Sequence, residues 1–127
     1  MKSRLLLSAL VLAVLSLAAP MQAEKLYDID GPMELYIWLT AKPGHEDAME
    51  KTFREVFYPA VSARRGFRSA MMVRKPGTAE YTVRLSFDTE ELRMEWVASD
   101  AHQKAWPELE SHAAKATYDG FAVIFPK

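Results

Sequence analysis

Residues 67–88, FRSAMMVRKPGTAEYTVRLSFD, decide the fold because they contain two strand-like runs separated by a short turn. The runs are Phe67 to Lys75 and Tyr81 to Asp88, and Pro76-Gly77-Thr78-Ala79 lies between them. In the second run large apolar residues occupy every other position, which is the period of a strand with one buried face. So short a connection predicts an antiparallel hairpin.

A helical region is predicted on each side of this hairpin. Upstream, His45 to Arg65 carries one apolar stripe at helical spacing, and Pro59 within it should kink the helix or end its regular part. Downstream, Thr89 and Ser99 are suited to cap two helical stretches, and Pro107 predicts a further kink or break. The hairpin therefore lies between two helical regions.

Strand patterns also lie at the two ends of this arrangement. Met33 to Ala41 alternates strictly, and Thr117 to Pro126 is predicted to be the last strand. The order strand, helix, strand, strand, helix, strand predicts a ferredoxin-like α+β fold, a four-stranded antiparallel sheet with helices on one face. The other face carries Tyr36 and Trp38, and an exposed aromatic sheet face marks an interface. We therefore expect a homodimer that packs two such faces together.

Residues 1–23 have the pattern of a secretory signal peptide: a positive start, an uncharged run from Leu5 to Ala19 and a small residue at Ala23. The alternative is a membrane anchor, but the run is shorter than the roughly 20 residues of a spanning helix. We expect cleavage after Ala23, no stable membrane anchor afterwards, and an exported protein that is periplasmic or secreted. Residues 24–32 would then be a polar lead-in lying loosely on the surface, and residues 33–127 the folded domain.

Composition argues against several classes of site. The 127 residues include 16 Lys plus Arg, 17 Asp plus Glu and no Cys, so neither a Cys-ligated metal nor a basic nucleic-acid face is expected. The three histidines, His45, His102 and His112, lack metal-ligand spacing, and no nucleotide-binding glycine motif occurs. We expect no metal and no cofactor. His45 and His112 are predicted to be solvated, as are the acidic pairs Glu90-Glu91 and Glu108/Glu110.

Four stretches occur in order within residues 33–125: LTAKPGHE at 39–46, VSARRGF at 61–67, FDTEEL at 87–92 and WVASDAH at 96–102. Together they resemble the antibiotic biosynthesis monooxygenase (ABM) family of the dimeric α+β barrel superfamily, whose W-x-x-S-x-x-H signature the last stretch matches. The resemblance implies the same ferredoxin-like domain, paired into a dimer. It also implies a pocket between the helices and the sheet of each subunit.

Known members of that family include cofactor-independent oxygenases that turn phenolic rings into quinones, and others that degrade haem. The haem degraders use an Asn, a Trp and a His at positions that correspond here to Leu35, Ser86 and Trp106. No Asn occurs anywhere in the chain. The resemblance therefore argues against haem degradation of that type.

Three residues are candidates for the pocket. His102 is a possible proton acceptor at the pocket mouth, because imidazole titrates near neutral pH; the alternative is that it belongs only to the helix cap at Ser99. Trp96 and Trp106 would line a pocket for a planar ring, and the alternative is that both are core residues on one helix face.

These observations support two hypotheses about the function. The first is an exported, cofactor-free monooxygenase of small aromatic or quinol compounds, with His102 as the base and the two indoles as walls. The alternative is a non-catalytic dimeric module that binds a small apolar ligand. The absence of a clear acid–base pair favours the second function, and the family resemblance favours the first.

Overall fold

A computed structural model describes residues 24–126, and it contains a four-stranded antiparallel sheet with helices on one face. The strands are β1 (Met33–Ala41), β2 (Phe67–Arg74), β3 (Glu80–Phe87) and β4 (Ala113–Ala122), in the spatial order β2-β3-β1-β4. The helices are α1 (Glu46–Thr52), α2 (Tyr58–Ser62), α3 (Glu90–Val97) and α4 (Asp100–Glu110), with a π-helical turn (Phe53–Phe57) between α1 and α2. The predicted ferredoxin-like α+β fold is confirmed. The predicted signal peptide lies outside the described residues.

The central strands give the sheet one buried face. Every second residue of β1 is buried from Met33 to Ala41, and β3 pairs with it in register, Leu35 opposite Leu85. Since alternate side chains of a strand point to opposite faces, the buried set lies under the helices and forms the floor of the core. Within residues 24–126 no helix is both long and apolar enough to cross a membrane.

The first helical region is shorter than the predicted span of residues 45–65, and it is not uniform. Its buried residues are Met49, Phe53, Phe57 and Val61, which are spaced by four. A step of four overshoots the 3.6 residues of an α-helical turn, so such a stripe would wind around a regular helix. The wider π turn at Phe53–Phe57 takes up this excess and keeps the stripe facing the sheet. The kink or break was predicted at Pro59, and the structure has instead a π-helical turn that ends at Phe57, before this proline.

The last strand and the last helix differ from the prediction. β4 begins at Ala113, four residues before Thr117, because β1 offers backbone partners along its whole length and pairs Ala41 with Ala113. Alanine-rich sequence has low strand propensity on its own, so pairing overrides it here. The α4 helix continues through Pro107 to Glu110 without the predicted break.

The lead-in at residues 24–32 is packed against the domain, which corrects the prediction that it lies loosely on the surface. Ile29 is 7% exposed and belongs to the core. Its backbone N–H donates to the Tyr27 carbonyl at 2.9 Å, which folds the segment back on itself. The segment is therefore part of the domain.

The sheet face opposite the helices carries an aromatic cluster. The Tyr36 ring lies 5.1 Å from Phe121 and 6.2 Å from Trp38, centroid to centroid. Trp38 is 39% exposed, and the nearby Met71 and Val73 are exposed as well. Contiguous exposed apolar patches are a feature of protein interaction surfaces in general.

Gly66 lies in the turn between α2 and β2, in a conformation that favours glycine, with φ of +82°. A Cβ at this position would lie 2.7 Å from the Cβ of Leu92. We expect Gly66→Ala to lower the free energy of unfolding by about 2–3 kcal/mol, from backbone strain and this contact together.

The matched control is Gly77→Ala, because Gly77 has φ of +75° but no atom within 4 Å of an added Cβ. This variant should lose only about 1 kcal/mol, the backbone cost alone. Urea denaturation of both variants measures the difference. Equal losses would show that Leu92 does not contribute.

Candidate functional site

A cavity of about 120 Å³ lies between the sheet and the helices α3 and α4. Its floor is formed by the strands β1 and β3, and its walls are mostly apolar. Leu26 and Tyr118 are exposed and lie at its rim. The lining side chains are Leu26, Leu35, Ile37, Phe57, Leu85, Arg93, Met94, Trp96, Val97, His102, Trp106 and Tyr118.

Two indoles form one wall of the cavity. Trp96 on α3 is almost wholly buried and meets the Phe57 ring edge-on, with centroids 5.9 Å apart. Trp106 on α4 is half-buried and also approaches Phe57, at 6.4 Å. The two tryptophans are thus both core residues and cavity walls, but they lie on two helices and not on one helix face as predicted.

His102 combines a cap position with a side chain at the cavity. Its backbone N–H donates to Ser99 Oγ at 3.3 Å, which is the predicted cap of α4. Its ring lies edge-on to Trp96 at 5.0 Å, and its Nδ1 is buried with no hydrogen-bond partner among residues 24–126. Burial, and then the nearby charge of Arg93, lower the pKa of this imidazole below its ordinary value. His102 is therefore a neutral base at pH 7 with an uncommitted nitrogen.

Glu90 is buried, which corrects the prediction of a solvated acidic pair. Its carboxylate accepts from Arg93 Nε at 2.7 Å and from Arg93 Nη2 at 2.9 Å. It also accepts from the backbone N–H groups of Leu26 and Tyr27, at 3.0 and 2.9 Å. A buried charge is tolerated when it is paired and hydrogen-bonded in this way. Arg93 in turn lines the cavity, and its Nη1 makes none of these bonds.

Comparison with known proteins identifies the fold. No protein-family profile matches the chain, and no curated protein matches it. Among solved structures, SnoaB, a cofactor-independent oxygenase from Streptomyces nogalater, superposes with a TM-score of 0.68 at 12% identity, over 77% of this chain and 100% of its own. The chain has the fold of the antibiotic biosynthesis monooxygenases.

Two further structures agree. A protein from Bordetella bronchiseptica assigned to the antibiotic biosynthesis monooxygenases superposes with a TM-score of 0.68 at 16% identity, over 76% of this chain and all of its own. One from Caulobacter crescentus with the same assignment gives 0.66 at 14%, over 74% and 91%. The resemblance drawn from the four sequence stretches is confirmed at the level of the fold.

The three positions that the sequence resemblance matched to the haem-degrading residues lie in two different places in the structure. Leu35 and Trp106 both line the cavity. Ser86 pairs with Glu34 in the sheet register and so lies on the opposite face. None of the three carries the Asn, Trp or His that the resemblance associates with haem degradation.

His45 and His112 were predicted to be solvated, but in the structure they contact each other. Their Nδ1 atoms are 3.2 Å apart, and His112 Nε2 lies 3.1 Å from Thr52 Oγ1. The pair joins α1 to the start of β4, away from the cavity. In the part of the chain that the structure describes, no group of three or more His, Asp or Glu side chains is placed to hold a metal ion.

The remaining candidate acids and bases differ in how far their side chains are exposed to solvent. Glu108 and Glu110 are exposed, as predicted. Tyr81 is buried away from the cavity, where burial and a hydrogen bond to Glu50 raise the pKa of its phenol to about 12. Tyr118 is the tyrosine whose phenol lies at the cavity rim. His102 therefore remains the best-placed proton acceptor of the cavity.

Proposed function

We propose that this protein is a cofactor-independent oxygenase of single-ring phenolic or hydroquinone compounds, acting in the cavity beside Trp96 and Trp106. The observation that carries the proposal is the buried, unpartnered Nδ1 of His102, a residue that lines a mostly apolar cavity. The volume of about 120 Å³ resembles an engineered apolar cavity of about 150 Å³ that binds benzene. The fold shared with a cofactor-independent oxygenase adds support.

The cavity residues have distinct roles in this proposal. With its proton on Nε2, neutral His102 offers the Nδ1 lone pair to the substrate hydroxyl. The resulting phenolate is stabilised by Arg93, whose charge acts strongly in an apolar site. The indoles hold the ring in place and exclude water.

The proposed oxygenation balances without an external reductant. The phenolate gives one electron to dioxygen, and the two radicals combine to form a carbon–oxygen bond at the ring. The peroxide anion formed takes the proton back from His102, and the resulting hydroperoxide loses water together with the ring hydrogen of that carbon to give the quinone. One oxygen atom thus enters the ring and the other leaves in water, so phenol and dioxygen yield quinone and water.

Oxygen uptake tests the proposal directly. Protein with phenol or hydroquinone, a chelator and no added flavin should consume oxygen and form quinone, one molecule per dioxygen when the substrate is phenol. Heat-denatured protein is the control, because phenols also oxidise slowly without a catalyst. No uptake above this control for any single-ring phenol would overturn the oxygenase proposal.

One observation favours a second function, the binding of a small apolar ligand without turnover. Glu90 is committed to Arg93 and the lead-in, so the cavity lining within residues 24–126 contains no carboxylate that could act together with His102. Calorimetric binding of phenol without oxygen uptake would select this function over the first.

We also propose that two copies pair through the aromatic sheet face, since Trp38 and Phe121 are exposed there and the half-buried Tyr36 contacts both rings. Replacing Tyr36 and Trp38 together by Ser should cost several kcal/mol of interface energy, or about 2–4 kcal/mol for each hot-spot aromatic. The double variant is therefore expected to sediment as a monomer.

Tyr58→Ser, which removes an exposed aromatic on the helix side, should remain dimeric. A monomeric wild type at micromolar concentration would contradict this pairing.

We propose further that residues 1–23 direct export and are removed after Ala23. Mass spectrometry of the exported protein should then find Glu24 as the first residue. A full-length product that stays with the membrane fraction would contradict it.

A further inference from the structure

The segment of residues 24–30 is anchored by the buried carboxylate of Glu90. The N–H groups of Leu26 and Tyr27 both donate to Glu90 Oε2, and Arg93 holds that carboxylate from the other side. Hydrogen bonds to a buried charged acceptor are among the stronger ones in proteins. The backbone at Leu26 therefore has a fixed place relative to α3.

Tyr27 anchors the same segment to the sheet. The Arg93 guanidinium carbon lies 5.5 Å from the centre of its ring, within cation–π range. A Cβ at Gly120 of β4 would overlap this ring, so the absence of a side chain there makes the room for it. The segment thus bridges α3 and β4, the two elements on either side of the cavity mouth.

Next to these two anchors, the Leu26 side chain lines the cavity. It is 55% exposed, so it forms the rim rather than the floor. We propose that residues 24–30 are the outer wall of the ligand site and that Leu26 sets the size of ring that the site accepts. This inference rests on the proposed function, because it takes the cavity to be the place where the ligand binds.

Two substitutions at Leu26 change the wall in opposite directions. Leu26→Ala widens the cavity and removes apolar contact, so it should weaken phenol binding about 10-fold and strengthen binding of the two-ring 1-naphthol by about as much. Leu26→Trp should fill the mouth and weaken both. Because Leu26 is half-exposed, neither change should prevent folding.

Gly120→Ala tests the wall without altering Leu26. The added methyl group displaces the Tyr27 ring and with it the segment, while the Leu26 side chain is kept. This variant should shift the preference between phenol and 1-naphthol in the same direction as Leu26→Ala. Ile124→Ala is the control, since Ile124 is a large exposed apolar residue that does not line the cavity.

The experiment is calorimetric titration of phenol and 1-naphthol into wild type and these variants. A reversal of preference in Leu26→Ala and Gly120→Ala, with Ile124→Ala unchanged, is the expected result. If wild type binds phenol but Leu26→Ala binds both compounds as wild type does, the proposal that Leu26 sets the ring size is overturned. The proposal that the cavity is the ligand site then still holds. If wild type binds neither compound, the ligand site is overturned and the wall with it.

Discussion

Glu90→Gln is expected to lower the free energy of unfolding by about 3–5 kcal/mol, the cost of leaving one partner of a buried ion pair uncompensated. Glu90 and Arg93 are both almost inaccessible to water. The neutral amide removes the charge that balances the guanidinium and places an N–H₂ group where an acceptor is needed. It also weakens the anchor of the Leu26 and Tyr27 backbone.

Chemical denaturation measures this loss, and the neighbouring Glu91 supplies the control. Its side chain is 45% exposed, and its carboxylate lies 3.7 Å from Lys25 Nζ, which is long for an ion pair. Because so loose and exposed an ion pair contributes little, Glu91→Gln should stay within about 0.5 kcal/mol of wild type. The double variant Glu90→Leu/Arg93→Met should recover much of the loss, because no buried charge is left unpaired. A Glu90→Gln variant as stable as Glu91→Gln would show that the buried pair does not form.

His102→Ala is expected to reduce oxygen turnover by about 10²–10⁴-fold, the usual loss when a general base is removed. The His102 cap interaction uses its backbone N–H, which the substitution keeps, so stability should change little. His45→Ala is the control, because that imidazole contacts His112 outside the cavity. Unchanged turnover in His102→Ala would remove His102 from the mechanism.

The pH dependence has a definite sign. Because burial lowers the pKa of His102 below its ordinary value of 6.5, the neutral base persists at pH 7 and turnover should be level there. Turnover should fall as the pH drops through the lowered pKa. Stability should begin to fall once the pH drops below the ordinary value of 6.5, because the unfolded chain takes up the proton first, and the loss should be complete below the lowered pKa of the folded state. A turnover profile whose acidic midpoint lies at or above the ordinary value of 6.5 would contradict this assignment.

The features of the fold that were predicted correctly depend on residues that are close together in the sequence. The alternation of β1 and the short turn between β2 and β3 fixed the central sheet, because both depend on neighbouring residues. The cap at Ser99 placed His102 on the first turn of α4. Trp96 and Trp106 were not predicted correctly as residues of one helix face, because they lie on α3 and α4 and come together only where both helices pack against Phe57.

The features that were missed depend on contacts between distant parts of the chain. Glu90 sits in the first turn of a helix, where an exposed acidic residue is the ordinary expectation. Its partners Leu26 and Tyr27 are 64 and 63 residues away, and nothing local indicates them. The same holds for His45 and His112, which are 67 residues apart. The one local signal was Arg93, three residues after Glu90 and thus able to reach it.

The π turn has a consequence for how this sequence is compared with others. A turn closed by bonds from residue i to i+5 holds one residue more than an α-helical turn. Aligning the chain with a protein whose helix is uninterrupted therefore requires a one-residue gap between Phe53 and Phe57. Without that gap, Val61 and the other buried positions after the turn would be matched to solvent-facing positions of the other protein.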